Sequence, residues 1–167
     1  MSGTTTHDRF ASRAAEYGVD VTRVPSREVT DAIGAAVDGP AVGAPLPWEG
    51  VSLPSGVTTD PTPTELNVAV TGVTPASLAI AEYGSLLLRA DGAGSEPISL
   101  FVDRHVAVLR AEDVVPDMPA AFEWLGEELR KTRDSVIVAT GPSATADMGA
   151  LVQGAHGPKT VAVVIVG

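Results

Sequence analysis

The run near the carboxyl end, residues 160–166, constrains the fold most. Every residue from Val161 to Val166 is apolar, and all but Ala162 are β-branched. A strand that carries apolar side chains on both faces is typical of the interior of a sheet that is covered on both sides. We therefore predict a fully buried strand here, placed centrally in its sheet.

Helical and strand-like segments alternate along the rest of the chain. The patterns predict helices over residues 5–17, 25–37, 75–82 and 116–133, and strands over 66–71, 85–89, 98–102, 106–110 and 135–140. The two strands at 98–102 and 106–110 are expected to be neighbours in one sheet. Helices that alternate with apolar strands predict the α/β class.

The length of 167 residues predicts a single domain. Within it we distinguish N-terminal helices (1–40), a segment rich in proline and glycine (41–65) and an α/β core (66–167). The segment 41–65 is expected to be an ordered loop with a short strand at most. A loop of this length in a compact domain is often functional.

Composition excludes several classes of protein. The chain has no cysteine, which excludes disulfides, thiolate zinc sites and cysteine-ligated iron–sulfur clusters in this chain. The net charge of −10, with two lysines, argues against nucleic acid as a partner and suits a salty cytoplasm, so we expect a halophilic source. The longest apolar stretch is strand-sized and the N-terminus lacks a secretory segment, so a cytoplasmic protein without a membrane span is expected.

A glycine-containing loop follows the predicted strand 135–140. It offers the hydroxyls of Ser143 and Thr145, the carboxylate of Asp147 and the backbone freedom of Gly141. Open α/β sheets bind ligands at the carboxyl ends of their strands, and backbone N–H groups in such loops suit a phosphate or carboxylate. The alternative is that Ser143 caps a helix.

A second loop, residues 153–159, places His156 between Gly154 and Gly157. Glycines let the backbone approach a ligand closely, and a histidine can donate or accept a proton near neutral pH. The alternative is a turn histidine that is bonded to the backbone. The three histidines of the chain show no metal-ligand spacing, so a metal site is not expected.

Glu82 is a third candidate, because it lies between an apolar helical stretch and an apolar strand. Partial desolvation there would favour the protonated carboxyl and suit acid–base or nucleophilic chemistry. The alternative is a glutamate at a helix end that faces water. His105 lies in the link 103–105, where either a ligand contact or a solvated turn residue is consistent with the sequence.

Several of these segments together resemble one family. Residues 141–149 (GPSATADMG), 151–158 (LVQGAHGP), 79–86 (AIAEYGSL), 101–106 (FVDRHV) and 113–116 (DVVP) are similar to motifs of the LUD domain, the lactate-utilisation LutC/YkgG family. The resemblance covers about residues 66–167, with a weaker match of the N-terminal helices. The chain departs from the family at Tyr83, where a threonine is usual, and at Met148 and Gly149, where isoleucine and glutamate are usual.

The resemblance implies a NagB/RpiA/CoA-transferase-like layered fold, with a mostly parallel sheet flanked by helices. It also implies a LutC-like role as an accessory component or subunit in the oxidation of lactate, or a related organic acid, to pyruvate. Iron–sulfur clusters would then reside in partner subunits, and this chain would bind a small anionic ligand. The sequence leaves self-association into a homo-oligomer open.

Two further hypotheses come from other classes of protein. One is a stand-alone enzyme of the CoA-transferase/isomerase superfamily that uses Glu82 on a phosphorylated or thioester substrate. The other is a binding module that senses an organic acid. In each case we expect Glu82 and the two glycine-containing loops to line one cleft. The candidate catalytic residues are Glu82 and His156, and the candidate ligand contacts are Gly84, Ser85, His105, Gly141, Ser143, Thr145, Asp147, Gly154 and Gly157.

Overall fold

The computed structural model describes residues 3–145, 152–154 and 156–167. The described helices are α1 (Thr6–Ala15), α2 (Val29–Ala36), α3 (Pro63–Val68), α4 (Ser95–Phe101) and α5 (Met118–Thr132). The described strands are β1 (Asp20–Val24), β2 (Ala41–Gly43), β3 (Val57–Thr59), β4 (Thr71–Pro75), β5 (Leu78–Ile80), β6 (Ser85–Arg89), β7 (Arg104–Arg110), β8 (Val114–Val115), β9 (Val136–Thr140), β10 (Ala144–Thr145), β11 (Val152–Gln153) and β12 (Thr160–Val166).

Six strands form a parallel sheet in the order β1-β12-β7-β4-β2-β3. The predicted strand at the carboxyl end is confirmed: β12 lies between β1 and β7, and its residues from Val161 to Val166 are buried. This sheet confirms the α/β class and its mostly parallel architecture.

A second sheet of four strands has the order β8-β5-β6-β9. Here β6 pairs antiparallel with both β5 and β9, and β8 pairs parallel with β5. The two short strands β10 and β11 pair antiparallel with each other, outside both larger sheets.

The two sheets face each other and are covered by helices. Alternate residues of β7 belong to different cores: Val106 and Val108 pack with Val29 and Ile33 of α2, whereas Leu109 packs with Leu86 of β6. The opposite face of the second sheet packs against α5. On the side of the parallel sheet that faces the second sheet, α4 covers the β2 and β4 end, where Gly72 leaves room for Ile98.

The prediction of a strand at 66–71 is wrong. The residues 63–68 form α3, because Thr62 and Glu65 make a reciprocal capping box: the Thr62 hydroxyl accepts the Glu65 N–H, and the Glu65 carboxylate accepts the Thr62 N–H. The strand begins only at Thr71. The segment 41–65, expected to be mostly loop, therefore holds β2, β3 and the first turn of a helix.

The predicted helix at 75–82 is also wrong. Pro75 ends β4, and Leu78–Ile80 forms β5, which pairs with β6 on one side and β8 on the other. A short apolar run fits a buried strand as well as a helix, and here the pairing with two strands decides. Thr74 is accordingly a strand residue, and its hydroxyl is hydrogen-bonded to the His105 ring.

Residues 98–102 were expected to be a strand next to 106–110, and this prediction is wrong. They belong to α4 and its end. The Asp91 carboxylate starts this helix, since it accepts hydrogen bonds from the Ser95 N–H at 3.0 Å and the Ser95 hydroxyl at 2.6 Å. Ile98 and Val102 then lie one turn apart and pack against Val42. The predictions of α5, β6, β7 and β9 are confirmed within a few residues.

Among the helices in the described ranges, none combines the length and the apolar character that crossing a bilayer requires.

Candidate functional site

A cleft of about 490 Å³ opens between the two sheets and α4. Sites of this volume accept molecules of the size of a drug or cofactor. Its walls come from the segment between α1 and β1, from β6, α4, β7, β9 and β12, and from both glycine-containing loops. The residues that line it include Tyr17, Val19, Gly84, Leu86, Leu88, Ser99, Leu100, His105, Ile137, Ala139, Thr140, Gly141, Ser143, His156, Gly157, Val161 and Val163.

Strand β6 and the glycine before it show why some residues reach the cleft and others do not. Gly84, Leu86 and Leu88 line it, whereas the residues between them point to the other face of the sheet. Ser85 is buried on that other face, where its hydroxyl is hydrogen-bonded to that of Thr140 at 2.6 Å. Ser85, a predicted ligand contact, therefore does not line the cleft.

The two glycine-containing loops meet. The Ser143 N–H donates to the Pro158 carbonyl at 2.9 Å, and the Gly154 N–H donates to the Ser143 carbonyl at 2.8 Å. Gly141 has a φ of 65° and lies so close to Tyr17 that a Cβ on it would be 2.6 Å from the Tyr17 Cβ. Ser143 leads directly into β10, so it does not cap a helix.

His105 is the one titratable group buried in the described wall of the cleft. It is 2% exposed, and its Nε2 is hydrogen-bonded to Oγ1 of Thr74 at 2.8 Å. Burial lowers the pKa of His105 from 6.5 to about 4, so the ring is neutral at pH 7. The interpretation of His105 as a solvated turn residue is therefore wrong: it is the second residue of β7 and faces the second sheet.

His156 differs from His105 in its environment. It is exposed and lies at the open side of the cleft, next to Gly157. The cleft thus has one histidine at its rim and one in its buried wall.

None of the described residues that line the cleft is an aspartate, glutamate, lysine or arginine. In a chain with a net charge of −10, the described lining of this cleft thus has no carboxylate, ammonium or guanidinium group. Apolar side chains make up most of its buried part, and the hydroxyl groups of Ser99 and Ser143 supply polar contacts.

The structure places Glu82 outside this cleft. The residue lies on the turn between β5 and β6, its N–H donates to the Pro116 carbonyl at 3.1 Å, and its carboxylate faces Arg9 at 3.8 Å. The side chain is 40% exposed and is therefore in contact with water. The arrangement gives Glu82 a partner on α1 instead of access to a ligand in the cleft.

The other predicted residues divide clearly. Gly84, His105, Gly141, Ser143, His156 and Gly157 line the cleft. Gly154 is not among the lining residues; its φ is 77° and it lies against the side chain of Lys159. Asp147 and the side chain of Thr145 lie outside the described part of the chain.

One premise of the predicted site is wrong. The strand before the first loop, β9, is an edge strand of the second sheet and pairs antiparallel with β6. The loop is therefore not at the carboxyl edge of the parallel sheet. Instead the cleft meets that sheet near the amino ends of β7 and β12, where His105 and Val161 are paired neighbours.

Sequence reasoning missed Tyr17, Ser99 and Thr140 as lining residues. The first two reach the cleft only through tertiary packing, from the end of α1 and from α4, so no local pattern marks them. Leu86 and Leu88 could have been found from alternation along β6, which places them on the face of Gly84.

No three histidine, aspartate or glutamate side chains in the described ranges cluster closely enough to hold a metal ion.

The fold and the cleft together define an α/β protein with a ligand-sized site between a parallel sheet and a smaller mixed sheet. The profile of the LUD domain matches residues 60–166. A protein from Deinococcus radiodurans named "Lactate utilization protein C" is 33% identical over 171 residues, which cover 95% of this chain and 78% of that protein. The chain belongs to the LUD domain family.

Two further similarities have a narrower reach. "Lactate utilization protein C" of Oceanobacillus iheyensis is 31% identical over 99 residues, which cover 57% of this chain and 42% of that protein. The crystal structure of a DUF162 family protein from Deinococcus radiodurans matches 97% of this chain and 96% of its own, with a TM-score of 0.71 and 22% identity. At that identity the second similarity supports the fold alone.

Proposed function

We propose that this protein has a LutC-like role, as an accessory component or subunit in the oxidation of lactate, or a related organic acid, to pyruvate. The observation that carries the proposal is its 33% identity, over 95% of the chain, to a protein named for lactate utilisation. The Oceanobacillus relative bears the same name.

The cleft is the part of the chain that we assign to this role. Two loops that are separate in sequence are hydrogen-bonded to each other and line the same cleft, together with a buried and an exposed histidine. No described acidic side chain lines it, so a carboxylate there does not meet a like charge at close range. His156 at the rim and the hydroxyl of Ser143 are the groups we assign to the organic acid.

Electrons from lactate would pass to groups in partner chains. Because this chain has no cysteine, any cysteine-ligated iron–sulfur cluster of the system must be held by another subunit. We therefore propose iron–sulfur lactate-oxidation subunits as its partners. The functional form of the protein would then be a complex with these subunits.

Deletion of the gene in its native host tests the role. We expect the deletion strain to lose growth on lactate and to keep growth on pyruvate, and the wild-type gene to restore the former. A tagged chain purified from the same host should bring iron–sulfur subunits with it. Normal growth of the deletion strain on lactate would overturn the role, and recovery of the chain alone would overturn the proposed partners.

A further inference from the structure

The cleft is larger and more apolar than a three-carbon acid requires. Its volume is about 490 Å³, and its buried part is formed by aliphatic side chains of β6 and β12. Leu86, Leu88, Val161 and Val163 are each no more than 4% exposed. Partly exposed side chains of Ile137, Ala139 and Leu100 give the cleft its accessible apolar surface. Lactate carries one methyl group that could use such a surface, so it would leave most of this surface without a contact.

The aliphatic wall belongs to the main core of the molecule. The same four residues pack in the cluster that joins the two sheets, together with Leu109. Protein interiors are normally packed to the density of organic crystals, with few voids larger than a water molecule. Because the four side chains are already packed, the space open to a ligand lies against Ile137 and Ala139, and an apolar body placed there would remove these two side chains from water.

His105 adds one specific polar contact to this apolar wall. Its Nε2 is hydrogen-bonded to Thr74, and no other described residue hydrogen-bonds to the ring. In the described part of the chain, every fully buried side-chain nitrogen or oxygen has a hydrogen-bond partner. Because Nδ1 has no such partner, it must be accessible, and the open space beside His105 is the cleft. A neutral imidazole offers a single donor or acceptor there, according to the direction of the bond with Thr74.

We propose that the buried part of the cleft binds the body of an uncharged, mainly apolar molecule, about the size of a two-ring aromatic compound, whose carbonyl or hydroxyl oxygen hydrogen-bonds to Nδ1 of His105. This inference rests on the proposed function, because it names the class of ligand that the same site takes beyond the organic acid. A charged head group is disfavoured at His105, since no described cationic side chain is present to compensate it.

A set of probes with the same ring system tests the class. Binding of 2-acetonaphthone, 2-naphthol, 2-naphthoate and lactate to the purified full chain is measured by titration calorimetry, with ¹⁵N spectra of the histidine rings recorded in parallel. We expect the ketone or the naphthol to bind at least about tenfold more tightly than the naphthoate. The bound neutral probe is expected to shift the ring resonance of His105.

Variants locate the binding. Ala139 pairs with Leu86 and lines the cleft, so Ala139→Leu fills the space and should abolish binding of the neutral probe. Val68→Leu, on the exposed side of α3, is the matched control and should bind as the wild type does. His105→Phe should weaken the binding of the neutral probe by about three- to tenfold. If this variant does not fold, the Ala139→Leu result and the ring resonance still decide.

Three results would overturn the inference: no binding of either neutral probe, equal or tighter binding of the naphthoate, or unchanged binding in Ala139→Leu. The growth assay separates this failure from that of the proposed function. If the wild-type gene restores growth on lactate while no neutral probe binds, the result supports the proposed role in lactate oxidation and excludes the proposed class of ligand.

Discussion

Acidification from pH 7 to pH 4 should destabilise this protein through His105. The ring is 2% exposed, and burial lowers its pKa in the native state to about 4, against 6.5 when it is free in water. As the pH falls below 6.5, the unfolded chain binds a proton at this position and the native protein does not. Stability that is fully present above pH 6.5 is therefore lost progressively down to about pH 4, and this contribution changes no further below it.

The size of the effect follows from the same two values. Each pH unit between them corresponds to about 1.4 kcal/mol, so the free energy of unfolding should fall by about 3 kcal/mol from this group alone. Since small domains are stable by roughly 5–15 kcal/mol, this is a large share of the total.

Urea unfolding, followed by the fluorescence of the two tryptophans, measures this loss at a series of pH values. His105→Gln removes the titrating ring and keeps a hydrogen-bonding side chain for Thr74. Carboxylates such as Asp8 and Glu65, whose pKa values are lowered by hydrogen bonds from Thr5 and Thr62, titrate in both proteins and cancel in the comparison.

The wild type should lose about 3 kcal/mol more than His105→Gln between pH 6.5 and pH 4. Val68→Leu, on the exposed side of α3, is the control and should follow the wild type. Parallel curves for the wild type and His105→Gln would refute the reasoning, because they would show that His105 is not held neutral by burial.

Further predictions concern glycine, charge and the turn before β6. Gly84→Ala should lower the free energy of unfolding by about 2–5 kcal/mol in urea, because φ is 66° and the new Cβ would lie 2.6 Å from the Ala14 nitrogen. Gly18→Ala, where φ is 74° and the space around the new Cβ is open, should lower it by only about 1–2 kcal/mol. Equal losses in the two variants would contradict the close approach at Gly84. The melting temperature should rise from low to molar KCl, since salt screens the repulsion of a chain with a net charge of −10, and a flat or falling value would exclude the halophilic interpretation. Glu82→Gln should change the free energy of unfolding by less than about 1 kcal/mol, because the contact of Glu82 with Arg9 is 3.8 Å long and both side chains are 40% or more exposed. It should leave binding in the cleft unchanged, because Glu82 does not line the cleft; loss of ligand binding would show that Glu82 belongs to the site.

Elements whose pattern is long or strongly apolar could be predicted from the sequence. β12 was predicted from its apolar composition. α5 was predicted over residues 116–133 and spans Met118–Thr132, where Asp117 is the N-cap that accepts the Ala120 N–H. For such segments the local preference and the tertiary environment agree, so the pattern alone is sufficient.

Short segments were mispredicted for two different reasons. The start of α3 carries a sequence signal for a helix, the capping box of Thr62 and Glu65, whereas the β-branched residues that follow favour a strand. The strand β5 carries no such signal: three apolar residues become a strand only because β6 and β8 lie on either side of them.

The candidate site was predicted in part. The glycine-containing loops were expected to line one cleft, and Gly141, Ser143, His156 and Gly157 do so. Glu82 was included because its neighbours are apolar, but its position on a turn facing Arg9 depends on how α1 packs, which no local pattern reveals. The burial of His105 likewise follows from the second sheet covering β7.

We propose that this protein acts in lactate utilisation through the cleft between the two sheets. The most direct test measures growth on lactate of the deletion strain. The strain is complemented with Ala139→Leu or with Val68→Leu, at equal levels of folded protein. We expect that the cleft-filling Ala139→Leu fails to restore growth and that Val68→Leu restores it fully. Restoration of wild-type growth by Ala139→Leu would contradict the assignment of function to this cleft.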